Sequence, residues 1–358
     1  MVRYSDIIKH GIKNKKEGST RTPIDFEEIK KIPDSSNSRI LKEPEVASVP
    51  STPPAQKDAE DIEKLYTIIT DYLEEVRRQI KNDKLFDVKQ AVYTITHIVE
   101  TPDLIERFYQ FTALSHNHNN KNYPIPHLVN VMIGALKIGT GLGYSREELI
   151  ELGLSALLYD VGLFKIPEEI TGKSEKLTEA EINIIKKHTE IGENILSPFQ
   201  TEHPMLSRAA FEHHERENGT GYPRRLRGDE ICEYAKIIGL LDTFDAMTRD
   251  RPYRKALMQY LSIKELIGAK NSPFSSKIVK AFLSEISIFP VGSYVKLNNM
   301  NIGRVIVINK TYPMKPTVKL LFDNSGGKVS EEVVIDLEKH PILYITNAVS
   351  ENDFPSEL

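Results

Sequence analysis

The chain has 358 residues and a formal net charge of −4, with 27% charged and 40% hydrophobic residues. That balance excludes a general binder of nucleic acid or anionic membrane, and the length allows two modest domains plus linkers. The single cysteine, Cys232, excludes a disulfide framework and fits a reducing cytoplasm; a half-buried structural thiol is its expected state.

The N-terminal run MVRYSDIIKHGIKNKK lacks the apolar core of a signal peptide. No apolar stretch reaches the roughly 18–20 residues of a membrane helix, so no span and a cytoplasmic location are expected. Residues 1–31 are charged and weakly patterned. Residues 32–58, rich in Pro, Ser, Lys and Glu, cannot bury enough apolar surface to offset chain entropy and read as a flexible linker.

A helical region over 59–115 begins near Asp61, where Ile62, Tyr66, Ile69, Leu73, Val76 and Ile80 alternate steps of four and three. This seam serves either packing on the helix's own domain or a homodimer. Ser145 with Glu148, and Thr178 with Glu181, have capping-box spacing ahead of helical runs. The run from Arg146 stops around Gly162, and INIIKKHTEIGENIL reads as one capped helix containing His188. Helices recur to about Glu285, so the centre, 116–287, is predicted to be an all-α bundle. From Phe289 the pattern changes. VGSYVKL, GRVIVIN and TVKLLF are short β-branched runs broken by Gly, Asn and Pro, which predict a small barrel or curled sheet over 288–347. A tail, 348–358, follows.

Polar residues on otherwise apolar helical ground suggest chemistry. His127 begins LVNVMIGAL, Asp160 follows SALLY, His188 precedes TEIGENIL, and Asp242 lies in IIGLLDTFDAMT. His213-His214-Glu215 opens a run that closes on Gly221-Tyr222-Pro223. Four imidazoles and two carboxylates form an N/O donor set that suits Fe, Mn or Zn, and a bundle converges such residues on one interior site.

The order His127, Tyr159-Asp160-Val161-Gly162, His188, His213-His214-Glu215, Gly221-Tyr222-Pro223 and Asp242 resembles the HD-GYP family. FDAMTRDRPYR, from Phe244 to Arg254, is similar to that family's segment after its last ligand. The resemblance implies a mainly α, HD-type helical bundle with a C-terminal β-rich, barrel-like module. It also implies a two-metal phosphodiesterase for cyclic di-GMP, holding iron or manganese in preference to zinc. Asp160 would bridge the two ions. His188, His213 and His214 would hold one, and His127 and Asp242 the other. Tyr222 would shape the substrate pocket, and Arg251 and Arg254 would face phosphate or support the pocket.

Three positions depart from that pattern. Tyr159 stands where the family's doublet has histidine, and tyrosine, with an ordinary pKa of about 10, ligates only when a metal removes its proton. Leu163 stands where the family has lysine, with Lys165 out of register. Tyr123 stands where three-metal members carry glutamate. His116 and His118 lie upstream in an Asn-rich stretch. An impaired enzyme is expected, with the catalytic position shared by Asp160 and Tyr159. The alternatives are a degenerate cyclic di-GMP sensor or signalling module, and a bundle braced by a single ion.

Overall fold

The structure is a computed structural model that describes residues 56–114, 124–173, 175–248, 259–267, 273–309, 311–349 and 354. The expected N-terminal segment, most of the linker, Tyr123, His116, His118, Arg251 and Arg254 lie outside the described residues.

Helix α1 spans Gln56–Lys81, α2 Lys89–Glu100 and α3 Leu104–Leu114; α4 spans Pro124–Gly141 and α5 Arg146–Leu158. A 3-10 turn, Val161–Lys165, leads into the short α6, Glu168–Thr171. Then come α7 Glu179–Lys186, α8 His188–Leu196, α9 Leu206–Glu212, α10 Glu233–Thr248, α11 Gln259–Ile267 and α12 Ser276–Glu285.

Helix α4 is buried nearly all round, from Ile125 to Gly139, as befits a helix at the centre of a bundle. It packs against α1, α3, α5, α10 and α12. The α1 seam lies inside the chain's own core: Ile62, Ile69, Leu73, Val76 and Ile80 are all buried, facing α4 and the 3-10 turn. A fully buried leucine such as Leu73 contributes about 1.5–3 kcal/mol over an exposed one. A homodimer through α1 would therefore use its other face, where Ile68 is 45% exposed.

Both capping boxes form. Ser145 accepts from the Glu148 amide and Thr178 from the Glu181 amide, with the glutamates reaching back. INIIKKHTEIGENIL forms two helices instead of one: the chain turns at Lys187, and His188 opens α8. The His188 ring takes a carbonyl of the preceding helix's last turn, as described below. Cys232 is buried rather than half-buried, and burial pushes its thiol up to about 11.

The β-rich module is a five-stranded antiparallel sheet of β1 Tyr294–Leu297, β2 Ile302–Val307, β3 Thr317–Phe322, β4 Val334–Asp336 and β5 Ile345–Val349, in the order β4-β3-β2-β1-β5. Register shifts in the β1–β5 and β2–β3 pairings bend it. Its apolar face, including Val295, Leu297, Val305 and Val318, joins the helical core, and Tyr260 of α11 stacks on Phe289 at 5.2 Å.

Candidate metal centre

Five helix ends and turns and one helix interior deliver the expected ligands to one buried place. His127 sits in the first turn of α4, Tyr159 caps α5, and Asp160 precedes the 3-10 turn. His188 opens α8, His213 and His214 follow α9, and Asp242 lies on α10. All seven side chains are buried. Two glycines permit the approach. A Cβ on Gly162 would lie 1.9 Å from the His188 carbonyl oxygen, and one on Gly221 would lie 2.4 Å from the Glu215 Cα.

One half of the centre is histidine. His188 Nδ1 donates to the Ile185 carbonyl at 2.7 Å, and His213 Nδ1 donates to the Ala210 carbonyl at 2.8 Å. Both carbonyls belong to the last turns of helices, where the intrahelical ladder runs out. Each ring therefore carries its proton on Nδ1 and presents a lone pair at Nε2. These Nε2 atoms lie 3.2 Å apart, and His188 Nε2 lies 3.3 Å from Asp160 Oδ1. Burial holds His188 down to about 4 and His213 to about 3. Burial and then the His213 charge keep His214 well below its ordinary value.

With His188 neutral, the His188–Asp160 contact is not an ion pair. Asp160 Oδ1 has no hydrogen bond among the described residues. Burial, and then the charge of Asp242, raise the Asp160 carboxyl well above the usual carboxylate range. The ligand atoms of His188, His213 and His214 lie within 4.8 Å of one another. Converging lone pairs, those of His188 and His213 with their far nitrogens pinned, are the arrangement that holds a cation, so these residues fit a metal.

The other half joins α4, α5 and α10. His127 Nδ1 meets Asp245 Oδ2 at 2.6 Å, and its Nε2 meets Asp242 Oδ1 at 2.9 Å. The Tyr159 hydroxyl lies 2.9 Å from His127 Nε2 and donates to Asp242 Oδ1 at 3.0 Å. Asn130 donates to the second oxygen of Asp245 at 3.0 Å. Burial opposes a proton on His127, but the hydrogen bonds to Asp242 and Asp245 prevail and raise it to about 9. Asp242 Oδ2 is buried without a hydrogen bond among the described residues.

The Tyr222 ring stacks on His214 at 4.6 Å, and its hydroxyl is buried without a hydrogen bond among the described residues. Lys186 Nζ lies 5.2 Å from the Tyr222 ring centroid. Leu163 packs with Tyr222 against the apolar cluster of Ile166, Leu177, Ile182 and Ile185. Lys165 is paired with Asp83, so it does not take the place of a lysine at position 163.

Sequence reading gave no role to Asp245, Asn130, Lys186, Glu212 or Glu215. Asp245 follows Asp242 by three residues and Asn130 follows His127 by three, so each pair shares a helix face; that spacing was the available signal. Buried Glu212 accepts from Arg208, Arg224 and the Cys232 amide. Glu215 accepts from the Arg224 and Leu226 amides. These two carboxylates fasten the loop after Tyr222 to the helix end that carries His213 and His214. Asn130 and Asp245 also line a cavity whose other walls include Tyr109, Leu241 and Phe244; no candidate ligand lines it.

Residues 112–276 match the family model of the HD domain, and residues 294–357 match that of the KOW domain associated with HD domain. These matches fit the HD-GYP resemblance read from the sequence. Among curated relatives, the cyclic di-GMP phosphodiesterase PdeB of Borreliella burgdorferi is 32% identical over 211 residues, 59% of this chain and 55% of that protein. The 3'3'-cGAMP-specific phosphodiesterase 3 of Vibrio cholerae is 40% identical over 138 residues, 38% of this chain and 29% of that protein. The chain thus spans about half, or less, of the length of these relatives. Among solved structures, Bd1817, a HDG"Y"P protein from Bdellovibrio bacteriovorus, aligns with a TM-score of 0.51 at 17% identity, over 65% of this chain and 74% of that one. At that identity the likeness is one of fold. No helix among the described residues is long and apolar enough to cross a membrane.

Proposed function

We propose that this chain is a metal-dependent phosphodiesterase that hydrolyses cyclic di-GMP at a two-ion centre. The observation that carries this reading is the buried convergence of metal-donor atoms, with His188 Nε2 3.2 Å from His213 Nε2 and 3.3 Å from Asp160 Oδ1. His188, His213 and His214 would hold one ion, His127 and Asp242 the other, and Asp160 would reach both. Bound cations would offset the repulsion between an anionic diester and its nucleophile and lower the pKa of an attacking water.

The chain's own residues do the rest. Ile185 and Ala210 fix the histidine tautomers through their carbonyls, and Asp245 orients His127. Tyr222 gives the site an aromatic wall, and Lys186 beside it offers a cation for a phosphate. Arg251 and Arg254 are proposed as further phosphate contacts on the strength of the sequence resemblance alone.

The test is metal content and hydrolysis on one anaerobically purified sample supplied with iron or manganese, with cyclic di-GMP and 3'3'-cGAMP as substrates. Product formation that Asp160→Ala abolishes supports the reading. Absence of product from either dinucleotide, in folded and metal-loaded protein, overturns it. A second reading, a cyclic di-GMP sensor without turnover, is favoured by one observation: Leu163 puts an apolar side chain where the resemblance has a lysine, and Lys165 is engaged by Asp83. Dinucleotide binding without product would select it.

A further inference from the structure

Three atoms in the second half of the centre form a nearly equilateral triangle. The Tyr159 hydroxyl is 2.9 Å from His127 Nε2 and 3.0 Å from Asp242 Oδ1, and the last two are 2.9 Å apart. Hydrogen bonding does not complete this triangle. The phenol brings one proton, and Nε2 brings one more only when the ring is doubly protonated, because Nδ1–H faces the Asp245 carboxylate at 2.6 Å. Two protons at most serve three edges. Beside the triangle, two buried acceptor atoms, Asp242 Oδ2 and Asp160 Oδ1, have no hydrogen bond among the described residues. Two orphaned buried acceptors beside a triangle short of protons are what a bound cation would satisfy.

The edge lengths, which are also those of ordinary hydrogen bonds, match one kind of ion. Ligands bonded at about 2.0–2.2 Å and set at right angles lie about 2.8–3.1 Å apart, whereas tetrahedral ligands at the same bond lengths lie about 3.3–3.6 Å apart. The triangle has the edges of one face of an octahedron. A phenol oxygen, a carboxylate oxygen and an imidazole make a hard donor set, which suits iron.

We propose that Tyr159, as its phenolate, is a direct iron ligand that closes a facial triad with His127 and Asp242. The phenolic O–H bond breaks as the oxygen–iron bond forms, and the proton leaves to water. Tyr159 is thereby a working ligand and not a plug in a lost site. This inference rests on the metal-centre reading above, and its test reads a signal other than turnover.

The full chain is loaded with ferrous iron under anaerobic conditions, freed of excess metal, and opened to air so that dioxygen oxidises the iron. Phenolate bound to ferric iron gives a visible charge-transfer band and tyrosinate ring modes in the resonance Raman spectrum. The expected result is both signals at about two irons per chain. Tyr159→Phe should lose both and drop to about one iron, held by the three histidines. Tyr159→His should keep about two irons without the band. Two results overturn the inference: ferric protein without tyrosinate modes, or a band and iron content unchanged in Tyr159→Phe. Should Tyr159→Phe fail to fold, the Raman spectrum of the unaltered chain decides alone. Turnover of cyclic di-GMP on the same sample separates the two failures. Product without the band sinks only the phenolate; the band without product sinks only the phosphodiesterase.

Discussion

Residues that are neutral inside this protein and charged outside it make the metal-free chain sensitive to pH. His188 and His213 titrate near 4 and 3 in the fold, held down by burial, against about 6.5 when unfolded. Between those values the unfolded state binds protons that the native state refuses, so stability falls as pH falls. A ring that titrates some two pH units below its ordinary value changes stability by about 3 kcal/mol across that window, and repulsion between the two rings makes their contributions non-additive. Asp160 runs the other way: its raised pKa gives stability in acid that is lost as pH rises. His127, raised to about 9, contributes stability fully below 6.5 and loses it as pH rises through 9. Two histidines outweigh one carboxylate. Denaturant midpoints of chelated protein should therefore rise from pH 4.5 to 6.5, more steeply in Asp160→Asn, and decline towards pH 9. A profile flat from pH 4.5 to 6.5 in both proteins would mean that the rings are solvated. At this scale the sequence was informative about residue type and not about surroundings. Asp242 stood out on an apolar helix, whereas Asp245, three residues on, reads as an ordinary surface acid until the fold sets it 2.6 Å from His127. Lys186 looks like one of a solvated lysine pair, and only the fold brings it to the Tyr222 ring.

The elements that build the site meet through backbone as much as side chain. The 3-10 turn after α5 and the start of α8 touch where Gly162 passes the His188 carbonyl, and a Cβ there would sit 1.9 Å from that oxygen and 2.7 Å from the Gly192 nitrogen. Neither backbone atom can yield without moving His188. Gly162→Ala should cost at least the roughly 1–3 kcal/mol of an overpacked site and lower metal content. Gly134→Ala on α4 is the control, because its added carbon meets only the end of the Leu241 side chain, at 3.0 Å. Both variants are checked by thermal melts and metal analysis; equal metal content in the two would show that the turn does not hold His188 in place. Elements fixed by local chemistry were legible beforehand. Ser145–Glu148 and Thr178–Glu181 announce their helices because the capping residues are neighbours in sequence. The partner of the α1 seam was not legible, since periodicity marks an apolar face without saying what covers it. Strands β4 and β5 escaped notice because they are short edge strands, and Val334 at 48% exposure carries no burial signal.

Across the whole molecule, one apolar core runs from α1 through the bundle into the sheet. Leu73, Leu128, Phe282, Phe289, Val295 and Val318 belong to the same buried cluster, and Gln259 of α11 bonds the Ser287 carbonyl beneath the Tyr260–Phe289 stack. A sheet joined in this way should unfold with the bundle, so stability supplied at the metal centre should reach strands that hold no ligand. A ligand at one hundred times its dissociation constant stabilises the native state by about 2.7 kcal/mol, which is about a hundredfold in the exchange rate of amides that open only by global unfolding. Chelation should therefore speed hydrogen exchange by a similar factor at Val129 and Met132 in α4 and at Val318 and Leu320 in β3. If the β3 amides keep their rates while those of α4 accelerate, the sheet unfolds as its own unit and the shared core does not couple it to the metal. The comparison is internal to one sample, so a general effect of the chelator would appear equally in strands and helices of a metal-stripped control.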